Sequence, residues 1–133
     1  MSFFLDTNIC IYYLKGMFPV LRSKILSCQP SDVKISAVVK AELLYGAEKS
    51  IKRDENRLKI LSFLAPFEVI PFKGMAIEYY ARIRSDLEKA GTLIGPNDLF
   101  IAATVLADDG VLITNNAKEF NRVHGLRLDN WTV

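Results

Sequence analysis

Short apolar runs that stop at a polar residue able to open a helix constrain this chain more than any other feature. Phe3-Phe4-Leu5 ends at Asp6, and so short and wholly apolar a run suits a strand buried on both faces of a sheet. Asp6-Thr7-Asn8 then offers cap chemistry for a helix over residues 9–14, closed by Gly16, and Pro19 opens another running to about Ser27. After the break at Gln29-Pro30-Ser31, Val33-Lys34-Ile35 reads as a strand meeting Ser36, the N-cap of a helix that carries Val38, Val39, Glu42, Leu43, Tyr45 and Ala47.

The same alternation continues to the end. A charged stretch over residues 48–59 leads into a helix with Leu58, Leu61 and Leu64 inward, ended by Pro66. Phe67-Glu68-Val69-Ile70 is a strand stopped by Pro71. Residues 74–90 place Ala76, Tyr79, Tyr80, Ile83 and Leu87 on one helical stripe, and Gly91 ends it. Gly95-Pro96-Asn97-Asp98 opens the next helix; Asp108-Asp109-Gly110 turns into the strand Val111-Leu112-Ile113-Thr114, and a last short strand lies near residues 126–128. Strands alternating with helices predict an α/β fold, a short, mainly parallel sheet flanked by helices on both faces, in one domain over residues 1–133. Sites in such sheets form beyond the C-terminal ends of the strands, and Asp6 and Asn116 both fall there.

Composition narrows the chemistry. Half of the 133 residues are apolar and 24% are charged, with 17 basic against 15 acidic side chains. A net charge of +2 does not mark a nucleic-acid binder by itself, so any basic surface must be local. Cys10 and Cys28 form no Cys-x-x-Cys pair, and two thiols make no disulfide framework, so a reducing cytoplasm is expected. The opening Met-Ser-Phe-Phe-Leu-Asp has no basic leader and is not expected to be a signal peptide; no apolar run approaches the ~20 residues that span a bilayer. His124 is the only histidine. That excludes paired-histidine nucleases, Ser-His-Asp hydrolysis and zinc sites built on several imidazoles.

Chemistry here must therefore run on carboxylates, amides and hydroxyls. Asp6 at a strand-to-helix junction reads first as an N-cap worth about 1 kcal/mol, and Asp98, third residue of a helix begun by Pro96, as a carboxylate placed for the macrodipole. Glu42 is harder to explain structurally. Its neighbours three and four residues away are Val38, Val39, Tyr45 and Gly46, and burying an unpaired charge costs several kcal/mol, so a partner cation is expected. Three carboxylates share a pocket only when protonation or a metal relieves their repulsion. An all-oxygen set suits Mg²⁺ or Mn²⁺ rather than Zn²⁺, and such ions support in-line phosphodiester hydrolysis. Pattern alone does not bring the three acids together.

The motifs Phe4-Leu5-Asp6-Thr7-Asn8, Ala41-Glu42-Leu43-Leu44-Tyr45-Gly46, Gly95-Pro96-Asn97-Asp98-Leu99-Phe100-Ile101-Ala102-Ala103 and Leu112-Ile113-Thr114-Asn115-Asn116-Ala117-Lys118-Glu119-Phe120, with the ending Gly125-Leu126-Arg127-Leu128-Asp129-Asn130-Trp131, resemble the PIN-domain nucleases, and within them the VapC toxins of bacterial type II toxin–antitoxin pairs. The resemblance implies a Mg²⁺-dependent endoribonuclease, Mn²⁺ being able to substitute, with the first three family acids at Asp6, Glu42 and Asp98. The fourth acidic position is an amide here, Asn116, which leaves a second ion short of one anionic ligand. Glu119, one turn later, either supplies that charge or is an exposed helical glutamate, and the exposed reading weighs slightly more. Thr7 either bonds Asp6 or a water on the metal, or caps its helix; Thr114 either positions substrate phosphate or caps a turn. Asn8 is expected to order the loop.

The run Lys49, Lys52, Arg53, Arg57 and Lys59 against Glu48, Asp54 and Glu55 is first a solvated helical face; the sharper reading has Lys49, Lys52 and Arg53 contact RNA phosphates. The resemblance further implies a homodimer assembling into a larger complex with a VapB-like antitoxin whose C-terminal segment covers the acidic pocket. Transfer RNA, in particular the anticodon stem-loop of initiator tRNA, is the implied substrate. Two rivals remain: an aspartyl-nucleophile phosphatase, which lacks its Asp-x-Asp because Asn8 stands second, and a non-catalytic PIN-like interaction module, which has no reason to keep three acids. A P-loop is absent.

Overall fold

The computed structural model describes all residues, Met1–Val133. Strands β1 (Phe3–Leu5), β2 (Val33–Ser36), β3 (Glu68–Ile70), β4 (Val111–Ile113) and β5 (Arg127–Asp129) alternate with helices α1 (Thr7–Leu14), α2 (Pro19–Ser27), α3 (Ala37–Glu48), α4 (Arg53–Leu64), α5 (Met75–Ala90), α6 (Pro96–Ala107) and α7 (Ala117–Phe120). A single 3₁₀ turn, Pro30–Asp32, precedes β2.

All strand pairings are parallel, in the order β3-β2-β1-β4-β5. The chain therefore builds outward from β1 in one direction, then returns to the other side of β1 to lay down β4 and β5. Such a reversal leaves a crevice beyond the C-terminal ends of the two central strands. Leu5 of β1 is in register with Ile113 of β4, so the residues that follow them, Asp6 and Thr114, emerge side by side into that crevice.

Successive residues of a strand face opposite sides of a sheet. Phe4 and Leu5, and Leu112 and Ile113, are all buried, so helices cover both faces, as the short apolar runs require. One contiguous core of 27 buried residues joins the sheet to every helix. α5 packs along α6, and α3 along α4 and α1. Gly110 is fixed by this packing: a Cβ there would meet the Phe4 ring at 2.8 Å and the Ser2 carbonyl oxygen at 3.0 Å.

The structure departs from the sequence reading at α4. Leu58 is 67% exposed, and Ile60 with Leu64 forms the buried stripe while Leu61 is half-buried. At about 100° per residue Leu58 lies roughly 200° round from Ile60; because α4 packs chiefly against α3, with α1 beside it, one narrow stripe is enough. Boundaries shift slightly elsewhere: α1 begins at Thr7, β2 takes in Ser36, β4 stops before Thr114, and β5 starts at Arg127. Cys10 and Cys28 are free thiols, and no helix is long and apolar enough to cross a membrane.

Candidate active site

The site is assembled from strand ends and helix starts. β1 stops at Asp6, whose extended backbone (φ −67°, ψ 160°) turns the chain into α1 while its side chain accepts from the Thr7 N–H at 2.8 Å. The other carboxylate oxygen accepts from the Thr114 hydroxyl, also at 2.8 Å. Thr114 in turn accepts from the Asn116 N–H at 3.0 Å, so one buried hydroxyl ties the end of β4 to the end of β1. Asp6 is only 6% exposed. Burial pushes its carboxyl above the usual range, the Thr114 and Thr7 hydrogen bonds pull it back, and the neighbouring charges of Glu42 and Glu119 push it up again.

Pro96 starts α6 as its first residue, so Asp98 is its third and stands in the first turn of the helix. Its oxygen lies close to the backbone before the helix: a Cβ on Gly95 would come within 3.4 Å of Oδ2 of Asp98 and 3.6 Å of Oε1 of Glu119. Asp98 and Glu119 share a hydrogen bond. Burial, that bond, and the charges of Glu119, Asp6 and Glu42 push the Asp98 carboxyl up to about 8. Glu119 moves the other way, lowered first by the Gly95 N–H it accepts at 2.8 Å and then by Asp98; the Asn116 amide also donates to it, at 3.0 Å. The proton of the pair therefore resides on Asp98 and the charge on Glu119.

Glu42 corrects the sequence reading. It is half-buried, not sealed in an apolar surface, because Tyr45, three residues on and on the same helical face, is itself 64% exposed. Both its oxygens are satisfied by neutral donors: the Thr7 hydroxyl reaches Oε1 at 2.6 Å and the Asn97 amide reaches Oε2 at 3.3 Å. The carboxyl of the site that keeps its proton is Asp98. Glu119 likewise is no free surface glutamate; it is tied to Gly95, Asn116 and Asp98.

Asp6, Glu42, Asp98, Asn116, Glu119, Thr7 and Thr114 thus form one connected network at the sheet's reversal point. Lys49, Lys52 and Arg53 do not join it. Lys52 pairs with Glu55 at 4.0 Å, Arg53 with Glu48 at 3.4 Å and Asp54 at 3.7 Å, and Lys49 sits 4.9 Å over the Tyr45 ring. Sequence reasoning assigned no role to Gly95 or Asn97. The signal was adjacency to Asp98, in a stretch where a glycine before a helix-starting proline leaves its own N–H free to meet a side chain.

The donor set accommodates a hard divalent cation. No lysine or arginine forms an ion pair with Asp6, Glu42 or Asp98, and the available donors are oxygens, which suits Mg²⁺ or Mn²⁺. No three acids close on one point as a ready-made cage. An open arrangement is what Mg²⁺ takes, being held through one or two carboxylates while water fills the rest of its octahedron.

A family model of the PIN domain matches residues 3–126. Over 98% of both chains, the sequence is 41% identical to a Rickettsia felis protein named ribonuclease VapC2. It is 34% identical, again over 98% of both, to a Salmonella typhimurium protein named tRNA(fMet)-specific endonuclease VapC. Among solved structures, the fold superposes on a chain of the promoter-DNA-bound VapBC2 complex of Rickettsia felis with a TM-score of 0.92 at 39% identity, covering 98% of this chain and 99% of that one. The DNA-bound VapBC complex of Salmonella typhimurium gives 0.93 at 34% identity, covering 98% of each. Sheet order, carboxylate network and full-length similarity agree: this chain belongs to the PIN-domain family, in its VapC ribonuclease branch.

Proposed function

We propose that this chain is the toxin of a type II toxin–antitoxin pair, a Mg²⁺-dependent endoribonuclease acting on transfer RNA, with the anticodon stem-loop of initiator tRNA as the leading substrate. The observation that carries the reading is a cluster of carboxylates at the C-terminal ends of β1 and β4 with no basic side chain paired to Asp6, Glu42 or Asp98. The substrate assignment rests on relatives of Salmonella typhimurium and Shigella flexneri named tRNA(fMet)-specific endonucleases, 34% and 35% identical over almost their whole length.

In this reading Asp6 and Asp98 hold the ion, and Glu42 reaches it directly or through water. Bound there, a divalent cation supplies activation of the attacking water and stabilisation of the leaving oxygen. The chain's own groups prepare the place. Thr114 and the Thr7 N–H fix both oxygens of Asp6. Asp98 would have to be free of its proton to hold the ion, and Glu119, already charged and held by Gly95 and Asn116, would steady it. Asn116 thereby does not replace the missing fourth acid; it anchors Glu119, which supplies the fourth carboxylate. Lys49, free of a carboxylate partner, is the best placed of the three proposed basic residues to meet an RNA phosphate.

Association belongs to the same proposal. A groove of about 480 Å³ between α1, α3 and α4 has Ile11, Leu14, Leu43, Ala47 and Ile60 in its wall, and Glu42 is part of the same wall. An apolar antitoxin segment fits such a groove, and a basic residue carried on it would meet the carboxylates in place of metal. The toxin is expected to dimerise, and the dimers to assemble with antitoxin. The test is cleavage of purified initiator tRNA and of total RNA, with Mg²⁺ or EDTA, by the protein and by Asp6→Asn and Asp98→Asn. Loss of cleavage in EDTA and in both variants is expected; activity surviving all three overturns the mechanism.

A further inference from the structure

We infer that Asn97 is a positioning residue of the active site that acts through Glu42. The inference rests on the metal-site reading above and deepens it. Asn97 is the second residue of α6, immediately before Asp98, and its amide crosses to Oε2 of Glu42 in the middle of α3, a residue 55 positions earlier in the chain. On the far side of the same carboxylate the Thr7 hydroxyl binds Oε1 at 2.6 Å. One donor alone leaves a glutamate free to swing about its long side chain. Two donors on opposite oxygens, from α1 and α6, define the plane and direction of the carboxylate.

The chemistry of the donor matters as much as its place. A lysine or arginine at residue 97 would orient Glu42 equally well, yet it would neutralise the charge that a cation must find there and compete for the site. An amide orients the carboxylate and leaves its charge intact. Asn97 is exposed and contributes nothing to the core, so its hydrogen bond is the one thing it does in the fold. Groups that orient metal-binding side chains from behind characteristically change ion affinity when removed.

The test is Mn²⁺ uptake by the metal-free protein, measured by titration calorimetry without RNA, for the parent chain, Asn97→Ala, Glu42→Ala and the double variant. Asn97→Ala is expected to weaken Mn²⁺ binding about 10-fold, with the melting temperature in EDTA unchanged. In the Glu42→Ala background the same substitution is expected to change affinity by less than about twofold, because the side chain it acts on is gone. On transfer RNA, kcat should fall at saturating substrate while KM stays put. Undiminished Mn²⁺ affinity in Asn97→Ala, or an equal loss with and without Glu42, overturns the role given to Asn97. Absence of Mn²⁺ binding to the parent chain overturns the metal-site reading itself, and the inference with it.

Discussion

Asp98→Asn should stabilise the metal-free protein while destroying its activity, and the gain should grow with pH. Asp98 holds its proton up to about 8 in the folded chain, against an ordinary 3.8. Across that window the unfolded chain releases a proton that the folded chain keeps, so stability falls as pH rises. At about 1.4 kcal/mol per pH unit, the roughly three units between 3.8 and neutrality set a ceiling near 4 kcal/mol. Asp98 is only half-buried, and water screens most of that figure; about 1.5 kcal/mol at pH 8 and about 0.5 kcal/mol at pH 5 is the discounted expectation. Asparagine donates an N–H to Glu119 at any pH and removes the penalty. For a domain of this size, roughly 3–5 °C per kcal/mol gives Asp98→Asn a melting temperature about 5–7 °C above the parent at pH 8 and about 2 °C above it at pH 5. Thermal unfolding by circular dichroism in EDTA reads both. Adding Mg²⁺ should raise the parent and leave the variant unmoved. A gap that does not widen with pH, or a variant less stable than the parent at pH 8, refutes the assignment of the proton to Asp98.

Thr114→Val removes the hydroxyl that donates to buried Asp6 and accepts from the Asn116 N–H; urea unfolding should register a loss of about 1–3 kcal/mol, and Thr114→Ser, which keeps the hydroxyl, should lose clearly less. Equal losses would show that the methyl group, not the hydrogen bonds, matters. Gly110→Ala forces a methyl group to within 2.8 Å of the Phe4 ring and should cost about 1–3 kcal/mol with cleavage by the remaining folded molecules unchanged. Lys49→Ala should lower the salt slope of cleavage by about 1. Lys52→Ala and Arg53→Ala should lower it less, their charges being already matched by Glu55 and Glu48; equal slopes for all three would remove Lys49 from the RNA interface.

The fold was legible because its signals are local. Phe3-Phe4-Leu5 and Val111-Leu112-Ile113 are too short and too uniformly apolar to be anything but strands covered on both faces, and Asp6, Ser36, Pro19, Pro96 and Gly91 mark helix ends by chemistry that acts within one turn. Leu58 shows where such signals fail. Periodicity over residues 58–64 admits two stripes a few residues apart, and only the neighbours of α4 choose between them. Nothing within that helix encodes that its main neighbours are α3 and α1.

The sequence named most of the side chains that meet in the candidate site, but not Gly95 or Asn97, and it said less about their energetics. Asp6 and Asp98 each passed for a helix cap; in the structure Asp6 does cap-like work on the Thr7 N–H, while Asp98 stands in the first turn of α6 and caps no backbone N–H. Cap position is what delivers them to the reversal point of the sheet, so the structural reading and the catalytic reading describe the same placement. Glu42 misled for a complementary reason. Its sequence neighbours three and four residues away predicted an apolar setting, but the side chains that hydrogen-bond it, Thr7 and Asn97, come from other helices. Burial acts instead on Asp98, which keeps a proton, while its partner Glu119 carries the charge, held by a backbone N–H and an amide. A site wired with neutral donors leaves Asp6, Glu42 and Asp98 free of basic partners and keeps one proton on Asp98, and in the function proposed above that proton stands where a cation would bind.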